Sequence, residues 1–260
     1  MSIKIDGSQI VIVGYGRVGT SLYKVLKNYF KNINIIHSYQ IEFFEKRKIF
    51  KNLIVFLTVK DDFLRNISEK ISLLDFKVID GIAFHTCGAL SHNIISPLKE
   101  KNFKIASFHP LFTFREKNLP EKIWKHMVIA IEGDKEAVET AFLIAKKFKG
   151  SPFKIKESEK ELYHAVASLL SQSGYFIYEI VEKTVEGTNF GEIKEVKDSL
   201  YNLLLNSLSN SRMKGREYAT GPAIRKDLKI IERHLKILEK NPTTKNFYQL
   251  LTDFIINENS

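Results

Sequence analysis

Short apolar runs alternate with helical patterns through the first half of the chain. Six runs rich in β-branched and aromatic residues are predicted to be strands: Gln9–Val13, Ile33–Ile36, Asn52–Thr58, Phe76–Phe84, Phe103–Ser107 and Met127–Ile131. Between them, apolar residues recur at helical spacing in three segments: Val18–Tyr29, Asp61–Leu74 and Lys135–Phe148. Strands that alternate with helices predict an α/β domain with a parallel, doubly wound sheet.

The pattern changes after Ser151 and Pro152. From Glu157 onward, leucine, isoleucine and valine recur at helical spacing nearly to the end of the chain. We therefore expect two domains: a sheet-containing domain over residues 1–153 and an all-helical domain over residues 154–260.

Composition narrows the class of protein. The chain has 260 residues, of which 44% are hydrophobic, enough for a sizeable core. Cys87 is the one cysteine, so no intramolecular disulfide can form, which fits the reducing cytoplasm. The N-terminal stretch lacks the layout of a signal peptide. The longest stretch without Asp, Glu, Lys or Arg, Gly81–Leu98, contains histidine, asparagine and proline. We predict a cytoplasmic protein with no membrane span.

The chain is basic, with 40 Lys and Arg residues against 30 Asp and Glu residues and a formal net charge of +10. The basic residues are scattered, and no arginine-rich run or nucleic-acid motif stands out. We interpret the excess as a solvated surface that can also attract an anionic cofactor or substrate. We do not expect binding to nucleic acid.

The stretch VIVGYGRVGTSL has the pattern G-x-G-x-x-G at Gly14, Gly16 and Gly19. It follows a predicted strand and opens a predicted helix, which is the context that a dinucleotide-binding turn requires. The first glycine permits a tight turn, the second lets the backbone approach a pyrophosphate, and the third lets the helix pack closely. With the free N–H groups of the helix, these glycines and Arg17 and Val18 are expected to bind phosphate. The alternative is a glycine-rich turn without a ligand.

The end of the second predicted strand indicates which dinucleotide binds. An NAD site usually has a carboxylate there for the ribose hydroxyls, but this strand ends in His37 and Ser38. Lys46, Arg47 and Lys48 follow downstream and could neutralise a ribose phosphate, although such runs are also common on solvated helix faces. We predict NADP as the cofactor, with NADPH preferred over NADH and Ser38 in its site.

Polar residues follow the third, fourth and fifth predicted strands, and ligands of open α/β sheets collect at such carboxyl ends. The candidates are Thr58, Val59 and Asp61 for the cofactor, and His85, Cys87 and His109 for the reacting groups. A single histidine is more often structural than catalytic, and we expect some of these to be structural. Cys87 is interpreted as a small loop residue near the nicotinamide. The histidines are not at metal-ligand spacing, so no metal site is predicted.

One face of the first helix in the helical half is polar. His164, Ser168, Ser171 and Tyr175 are spaced four, three and four residues apart, and Gln172 lies beside them. Such a stripe is either a buried hydrogen-bond seam between helices or the lining of a cleft.

The segment TGPAIRKD precedes another basic helix. Gly221 and Pro222 suit a turn and a first helical position, and Thr220 suits a cap. Arg225 is either in a structural pair or holds a substrate carboxylate or cofactor phosphate with its planar fork. Asp227 either orients that arginine or caps the helix.

Five stretches, in chain order, resemble a bacterial family of oxidoreductases: TVKDDFLRNI, HTCGALS, SFHPLFTF, ELYHAVASLLSQSGY and TGPAIRKDLKIIERHL. The family combines a Rossmann-like N-terminal domain with a helical C-terminal domain of formerly unknown function. It is similar in build to ketopantoate reductase, pyrroline-carboxylate reductase and the phosphogluconate and hydroxyisobutyrate dehydrogenases. The resemblance covers nearly the whole chain and implies an NAD(P)-dependent reductase.

The resemblance favours reduction of a small 2-oxo acid, with ketopantoate of pantothenate synthesis as the first candidate. The alternatives are an imine reductase resembling pyrroline-carboxylate reductase and a non-catalytic NADP-binding sensor. The chain departs from the family pattern at Cys87, Gln172 and Lys226, where serine, asparagine and glycine are usual. These departures leave the substrate open.

The resemblance also implies roles for the polar residues. Relatives bind substrate near the start of the helix that contains His164, and His164 lies roughly where some relatives have a catalytic lysine. The residues expected to act in catalysis are His164, His85 and Arg225. Those expected to bind substrate are Cys87, His109, Ser168, Ser171, Gln172 and Asp227. Relatives pair through their helical domains, which implies a homodimer that acts on a small anionic substrate.

Overall fold

The computed structural model describes residues 5–117 and 119–258. The chain divides into two compact units, Met1–Ser168 and Leu169–Ser260. The division falls inside a long helix, whereas the boundary expected from the sequence, after residue 153, lies before that helix. The expected boundary stays a prediction. Residues 1–4, the start of the stretch assessed above for a signal peptide, lie outside the described part.

The first unit is built on two sheets. The strands are β1 (Gln9–Val13), β2 (Ile33–Ile36), β3 (Ile49–Lys51), β4 (Leu53–Leu57), β5 (Lys77–Ile79), β6 (Gly81–His85), β7 (Phe103–Pro110), β8 (Val128–Gly133) and β9 (Ser151–Lys154). The central sheet has the order β2-β1-β4-β6-β7-β8-β9, and β3 pairs with β5 in a small second sheet. The Rossmann-like α/β fold expected from the sequence is confirmed.

The central sheet is not parallel throughout. β2, β1, β4, β6 and β7 are parallel neighbours, but β8 runs antiparallel to β7, with Phe108 opposite Ile131. Among the described residues between β7 and β8, the only helix is the short 3-10 turn Glu121–Trp124. A parallel return would need a crossover that packs on the sheet, usually an α-helix, so this connection leads back antiparallel. The expectation of a fully parallel sheet was therefore wrong at this pair.

The predicted strand Phe76–Phe84 is divided in two. Asp80 has a φ of 56°, in the left-handed region, and it separates β5 from β6. β5 then pairs with β3, while β6 enters the central sheet. The segment predicted as one strand therefore contains a turn between two sheets, at Asp80, just before Gly81.

The helices are α1 (Arg17–Leu26), α2 (Leu64–Leu73), α3 (Lys135–Lys147), α4 (Lys160–Val185), α5 (Lys194–Lys214), α6 (Leu228–Ile237) and α7 (Pro242–Asn257). The predicted helical segments correspond to these, and the C-terminal part is helical as expected. The sequence analysis did not find the 3-10 segments Ile41–Lys46 and His92–Lys101. In the described residues, no helix is both long enough and apolar enough to cross a membrane.

Both faces of the central sheet are covered. Because of this, β1, β4 and β6 are apolar at nearly every position instead of alternating. Along β1, Ile10 and Ile12 face one core cluster, and Val11 and Val13 face the other. This packed sheet gives the loops at its carboxyl edge a rigid base.

Candidate functional site

The carboxyl ends of β1, β4 and β6 meet at one edge of the sheet. β1 has β2 on one side and β4 on the other, so the direction of winding reverses at β1. In open α/β sheets a ligand binds in the crevice at such a switch point. The loops that follow these strands therefore form the candidate site.

Two positions leave room only for glycine: Gly14 in the turn after β1 and Gly19 inside α1. Gly14 has a φ of 123°, and a Cβ built on it would lie 2.7 Å from the Thr58 carbonyl oxygen. A Cβ on Gly19 would clash with the Gly14 carbonyl oxygen. α1 then starts at Arg17, with Gly16 as its N-cap. Backbone and helix N-terminus thus form an open cradle whose N–H groups suit a pyrophosphate.

Thr58 holds this cradle in place. Its side chain is buried, and its hydroxyl donates to the carbonyl oxygen of Gly14 (3.0 Å). Val59 is half-buried and Asp61 is exposed at the start of a 3-10 turn. Of the three residues predicted on this loop, Thr58 is the one in contact with the glycine turn, and the cofactor-binding roles of all three stay predictions.

Aromatic rings are stacked between the β1 and β2 ends. The rings of Tyr15 and His37 stack at 5.0 Å, and those of His37 and Tyr39 stack at 5.0 Å. The ammonium of Lys117 lies 5.2 Å from the centre of the Tyr15 ring. Ser38, predicted to bind cofactor, is half-buried beside this stack in the chain. The β2 end therefore presents aromatic and basic groups next to the cradle.

The basic run after β2 has protein partners. Lys48 forms an ion pair with Asp75 (2.5 Å), and Arg47 donates to the Gln9 side chain (3.3 Å). The Lys46 ammonium lies over a phenylalanine ring of its own 3-10 segment (5.4 Å). These contacts account for the run without a ligand, so it adds no support for a ribose phosphate.

His85, at the end of β6, is completely buried. The Cys87 backbone N–H donates to its Nδ1 (3.2 Å). Burial, with the nearby positive charge of Lys160, lowers the pKa of His85 to about 3. The ring is therefore neutral at physiological pH, and its catalytic role stays a prediction.

Cys87 is also buried. Burial, followed by a hydrogen bond with Asp61, raises the pKa of its thiol to about 11. A thiol of this kind is a poor nucleophile, because the thiolate is the reactive form. This agrees with the interpretation of Cys87 as a small loop residue, and its substrate-binding role stays a prediction.

His109 and His164 meet at Gly88. A Cβ on Gly88 would lie 2.8 Å from His109 Nε2 and 2.5 Å from His164 Cδ2. The two imidazole rings are 6.0 Å apart, and His109 Nδ1 hydrogen-bonds the Tyr163 hydroxyl (3.0 Å). The fold thus brings together two of the three histidines that the sequence analysis selected.

Burial controls the protonation of this cluster. Burial, then the charges of Lys160 and His164, lowers the pKa of His109 to about 4. Burial raises the pKa of Tyr163 to about 12. Both groups are neutral at physiological pH, so they can orient a substrate by hydrogen bonding without adding charge.

A buried ion pair that was not expected from the sequence lies near this cluster. Lys160, at the start of α4, lies 3.5 Å from Glu132 of β8, and their side chains are 2% and 4% exposed. Lys160 also donates to the Cys87 carbonyl oxygen (3.3 Å). Glu132 ends the apolar run VIAIE, and a charge that interrupts a buried strand was the available signal.

Three other predicted site residues lie on α4. Ser171 and Gln172 are exposed on α4, and Gln172 lines a small cavity of about 200 Å³ with residues of α4 and α7. Ser168 is half-buried at the end of the first unit. Their roles stay predictions.

The TGPAIRKD segment forms a turn before α6. Gly221 has a φ of 126°, and the helix begins at Leu228, so the placement of Pro222 in its first turn was wrong. Asp227 is the N-cap and accepts the Ile230 backbone N–H (3.4 Å). This hydrogen bond supports the alternative in which Asp227 caps the helix. The Arg225 side chain is exposed, and its binding role stays a prediction.

Comparisons with known proteins find one matching family model and several solved structures with a similar fold. Residues 127–255 match the family model described as "Domain of unknown function (DUF2520)". A search of curated proteins finds no match. A candidate NADP oxidoreductase from Bacteroides fragilis is similar with a TM-score of 0.73 and 19% identity, over 97% of this chain and 99% of that one.

Two further solved structures share the fold. A protein from Thermotoga maritima has a TM-score of 0.69 and 21% identity, covering 96% of this chain and 99% of that chain. A reductive aminase from Aspergillus terreus, solved in complex with NADPH and ethyl-5-oxohexanoate, has a TM-score of 0.59 and 12% identity, covering 95% and 92%. The resemblance indicated by the sequence motifs is confirmed: this chain joins a Rossmann-like domain to a segment, residues 127–255, that matches the DUF2520 family model.

Proposed function

We propose that this protein is an NADPH-dependent oxidoreductase that reduces the C=O or C=N bond of a small organic acid. The observation that carries the proposal is the glycine cradle between β1 and α1, where a Cβ on Gly14 or Gly19 would fill the space beside Thr58. The cofactor would supply the hydride. The shared fold with an NADPH-bound reductive aminase supports the same assignment.

The preference for NADPH over NADH rests on the end of β2. His37 and Ser38 stand where a carboxylate would repel a ribose phosphate, and Tyr15 and Lys117 lie close by in the structure. Arg17, exposed at the first position of α1, adds a second cation. The protein thus offers an aromatic and basic surface to the adenosine end of the cofactor.

The chain's own groups would position the reacting bond. His109, which lies against Gly88, and Tyr163, which hydrogen-bonds His109, are neutral and half-buried, so they suit hydrogen bonds to a substrate oxygen or nitrogen. His164 also lies against Gly88 and is partly exposed, so solvent can reach its ring. We assign proton donation to His164, because an imidazole within reach of the substrate is a common proton donor in catalysis.

The first substrate candidate is a 2-oxo acid such as ketopantoate, as the sequence resemblance favours. The second is a cyclic imine, because the sequence motifs also resemble those of enzymes built like pyrroline-carboxylate reductase. The exposed Arg225 is the candidate partner for the substrate carboxylate.

Calorimetric titration with NADPH and NADH tests the cofactor, and loss of NADPH absorbance with a panel of 2-oxo acids and cyclic imines tests the reaction. We expect tighter binding of NADPH than of NADH and turnover of at least one panel class. Tighter binding of NADH would contradict the cofactor assignment. Tight NADPH binding without oxidation across the panel would favour a sensor instead of an enzyme.

A further inference from the structure

The loop that follows β6, residues 86–91, is held at both ends by one buried ion pair. At its start, Lys160 Nζ donates to the Cys87 carbonyl oxygen (3.3 Å). Just after its end, the backbone N–H of His92 donates to Glu132 Oε1 (2.7 Å), and His92 Nδ1 lies 2.6 Å from Glu132 Oε2. Lys160 and Glu132 are themselves 3.5 Å apart. We call this arrangement the clasp.

Burial makes the clasp energetically unusual. Both side chains are almost fully removed from solvent, and the desolvation of two charges costs several kcal/mol per ion. An apolar pair of similar volume would often give equal or greater stability. What an apolar pair could not do is make charge-assisted hydrogen bonds to the backbone of the loop. Stability alone therefore does not explain the pair.

The loop that the clasp holds forms one wall of the candidate site. Gly88, in its middle, is buried and in contact with His109 and His164, leaving no space for a Cβ. A shift of the loop would therefore move both imidazoles or be blocked by them. Rigid backbone at this position fixes where a substrate atom can lie relative to the two rings.

We infer that Lys160 and Glu132 are positioning residues: their ion pair clasps residues 87–92 and thereby sets the geometry of Gly88, His109 and His164 for the reduction. The inference deepens the proposed function and rests on it. Neither residue needs to touch the substrate. The two ends of the loop are fixed from two elements, β8 and α4, which no local sequence pattern would join.

Three variants test the clasp. Lys160→Met removes the charge and the donor, Lys160→Arg keeps both, and the double variant Lys160→Met/Glu132→Leu replaces the pair by apolar groups. Lys156→Met is the matched control, because Lys156 is exposed in an ion pair with exposed Glu159. Each variant is measured for thermal unfolding, backbone amide exchange in residues 87–92, calorimetric NADPH binding, and turnover of the panel substrate that wild type reduces best.

We expect Lys160→Met to speed amide exchange at Leu90 and His92 and to lower kcat roughly tenfold to a hundredfold, because small misplacement of reacting groups has costs of this order. NADPH affinity should not change, because the cradle lies on β1 and α1. Lys160→Arg should restore most of the protection and rate. The double variant should recover thermal stability but neither loop protection nor kcat, and the control should match wild type.

Two results would overturn the inference. If the double variant recovered both the amide protection of the loop and the wild-type kcat, the ion pair would only fill space in the core and would not position the loop. If Lys160→Arg kept the loop protected but abolished turnover, the amine itself would take part in the reaction. If the wild-type protein binds no NADPH, the proposed function fails. Amide exchange in residues 87–92 still tests, independently of that result, whether the ion pair holds the loop.

Discussion

Gly88 shows how one residue can set the geometry of this site. It lies between His109 and His164, in the loop held by the clasp, and a side chain there has nowhere to go. In the sequence it is simply the glycine of HTCGALS. Its steric role depends on two histidines from β7 and α4, which become neighbours only in the folded chain.

Replacing Gly88 by alanine should displace one of the two imidazoles. We expect kcat/KM to fall by roughly tenfold to a hundredfold, the order of cost for misplaced reacting groups, with NADPH affinity unchanged. Steady-state kinetics and calorimetry measure this. Gly174→Ala is the control, because a Cβ at Gly174 of α4 meets nothing within 4 Å. Full activity in Gly88→Ala would show that the contact is unimportant.

Buried histidines should also make stability depend on pH. The folded pKa values of His85 and His109, about 3 and about 4, lie below the ordinary value of 6.5. Below pH 6.5 both histidines bind protons in the unfolded chain but stay neutral in the folded chain. The stability that they contribute is therefore complete above pH 6.5 and decreases as the pH falls. Each histidine contributes up to about 1.4 kcal/mol per pH unit within its window.

Urea unfolding at pH 7 and pH 5 checks this dependence. Stability should fall between the two, and His85→Leu should show a smaller fall even if it starts less stable at pH 7. If the free energy of unfolding fell by the same amount in both proteins, His85 would not contribute to the pH dependence.

At the scale of elements, the proposed preference for NADPH depends on the end of β2, which has no carboxylate. It pairs with β1 beside the cradle, so its last residues lie next to the N-terminus of α1. We expect Ser38→Asp to weaken NADPH binding by about tenfold or more and to spare NADH, because a carboxylate near a phosphate repels it at low effective dielectric. Calorimetry with both cofactors measures the change.

Ser38→Asn is the matched control, since asparagine has the shape of aspartate without its charge. It should leave the ratio of the two affinities close to that of wild type. If both variants weaken both cofactors equally, the end of β2 would not select between them.

Elements also show where sequence patterns fail. The run Phe76–Phe84 looks like one strand, but Asp80 turns the chain so that β5 and β6 enter different sheets. Strand direction was equally hidden, because apolar runs are the same in parallel and antiparallel strands. Local hydrophobicity reports that a segment is buried, while its partners and direction are decided by connections and packing.

At the scale of the whole molecule, the helical part lacks cover for its apolar side chains. In the described part of the chain, Lys160 is the only buried residue of α4, and α5 has none. Large apolar side chains stay exposed on them, among them Leu169, Leu170, Leu203 and Met213. Apolar patches of this kind mark interfaces. We propose that a second copy of the chain covers them, in a homodimer.

Sedimentation velocity should show a dimer, and Leu170→Glu should shift it toward monomer, because burying a carboxylate in an apolar interface costs several kcal/mol. Leu170 is 70% exposed in the single chain. Leu73→Glu is the control, since Leu73, 82% exposed, lies at the end of α2. A monomeric wild type, or a dimer that resists Leu170→Glu, would contradict this interface.

The sequence by itself determined the α/β class, the helical C-terminal part and the glycine cradle. Each depends on residues close together in the chain: hydrophobic period fixes strand or helix, and glycine spacing fixes a turn. The same holds for the candidate histidines after β6 and β7, which strand ends identify without knowledge of contacts.

Only the tertiary structure decided which candidates belong together and what state they are in. His85 and Cys87 are buried, and Gly88 lies against both His109 and His164. Asp227 caps a helix, and Lys160 pairs with Glu132. Desolvation and through-space pairing depend on packing between distant segments, so no local pattern could predict them.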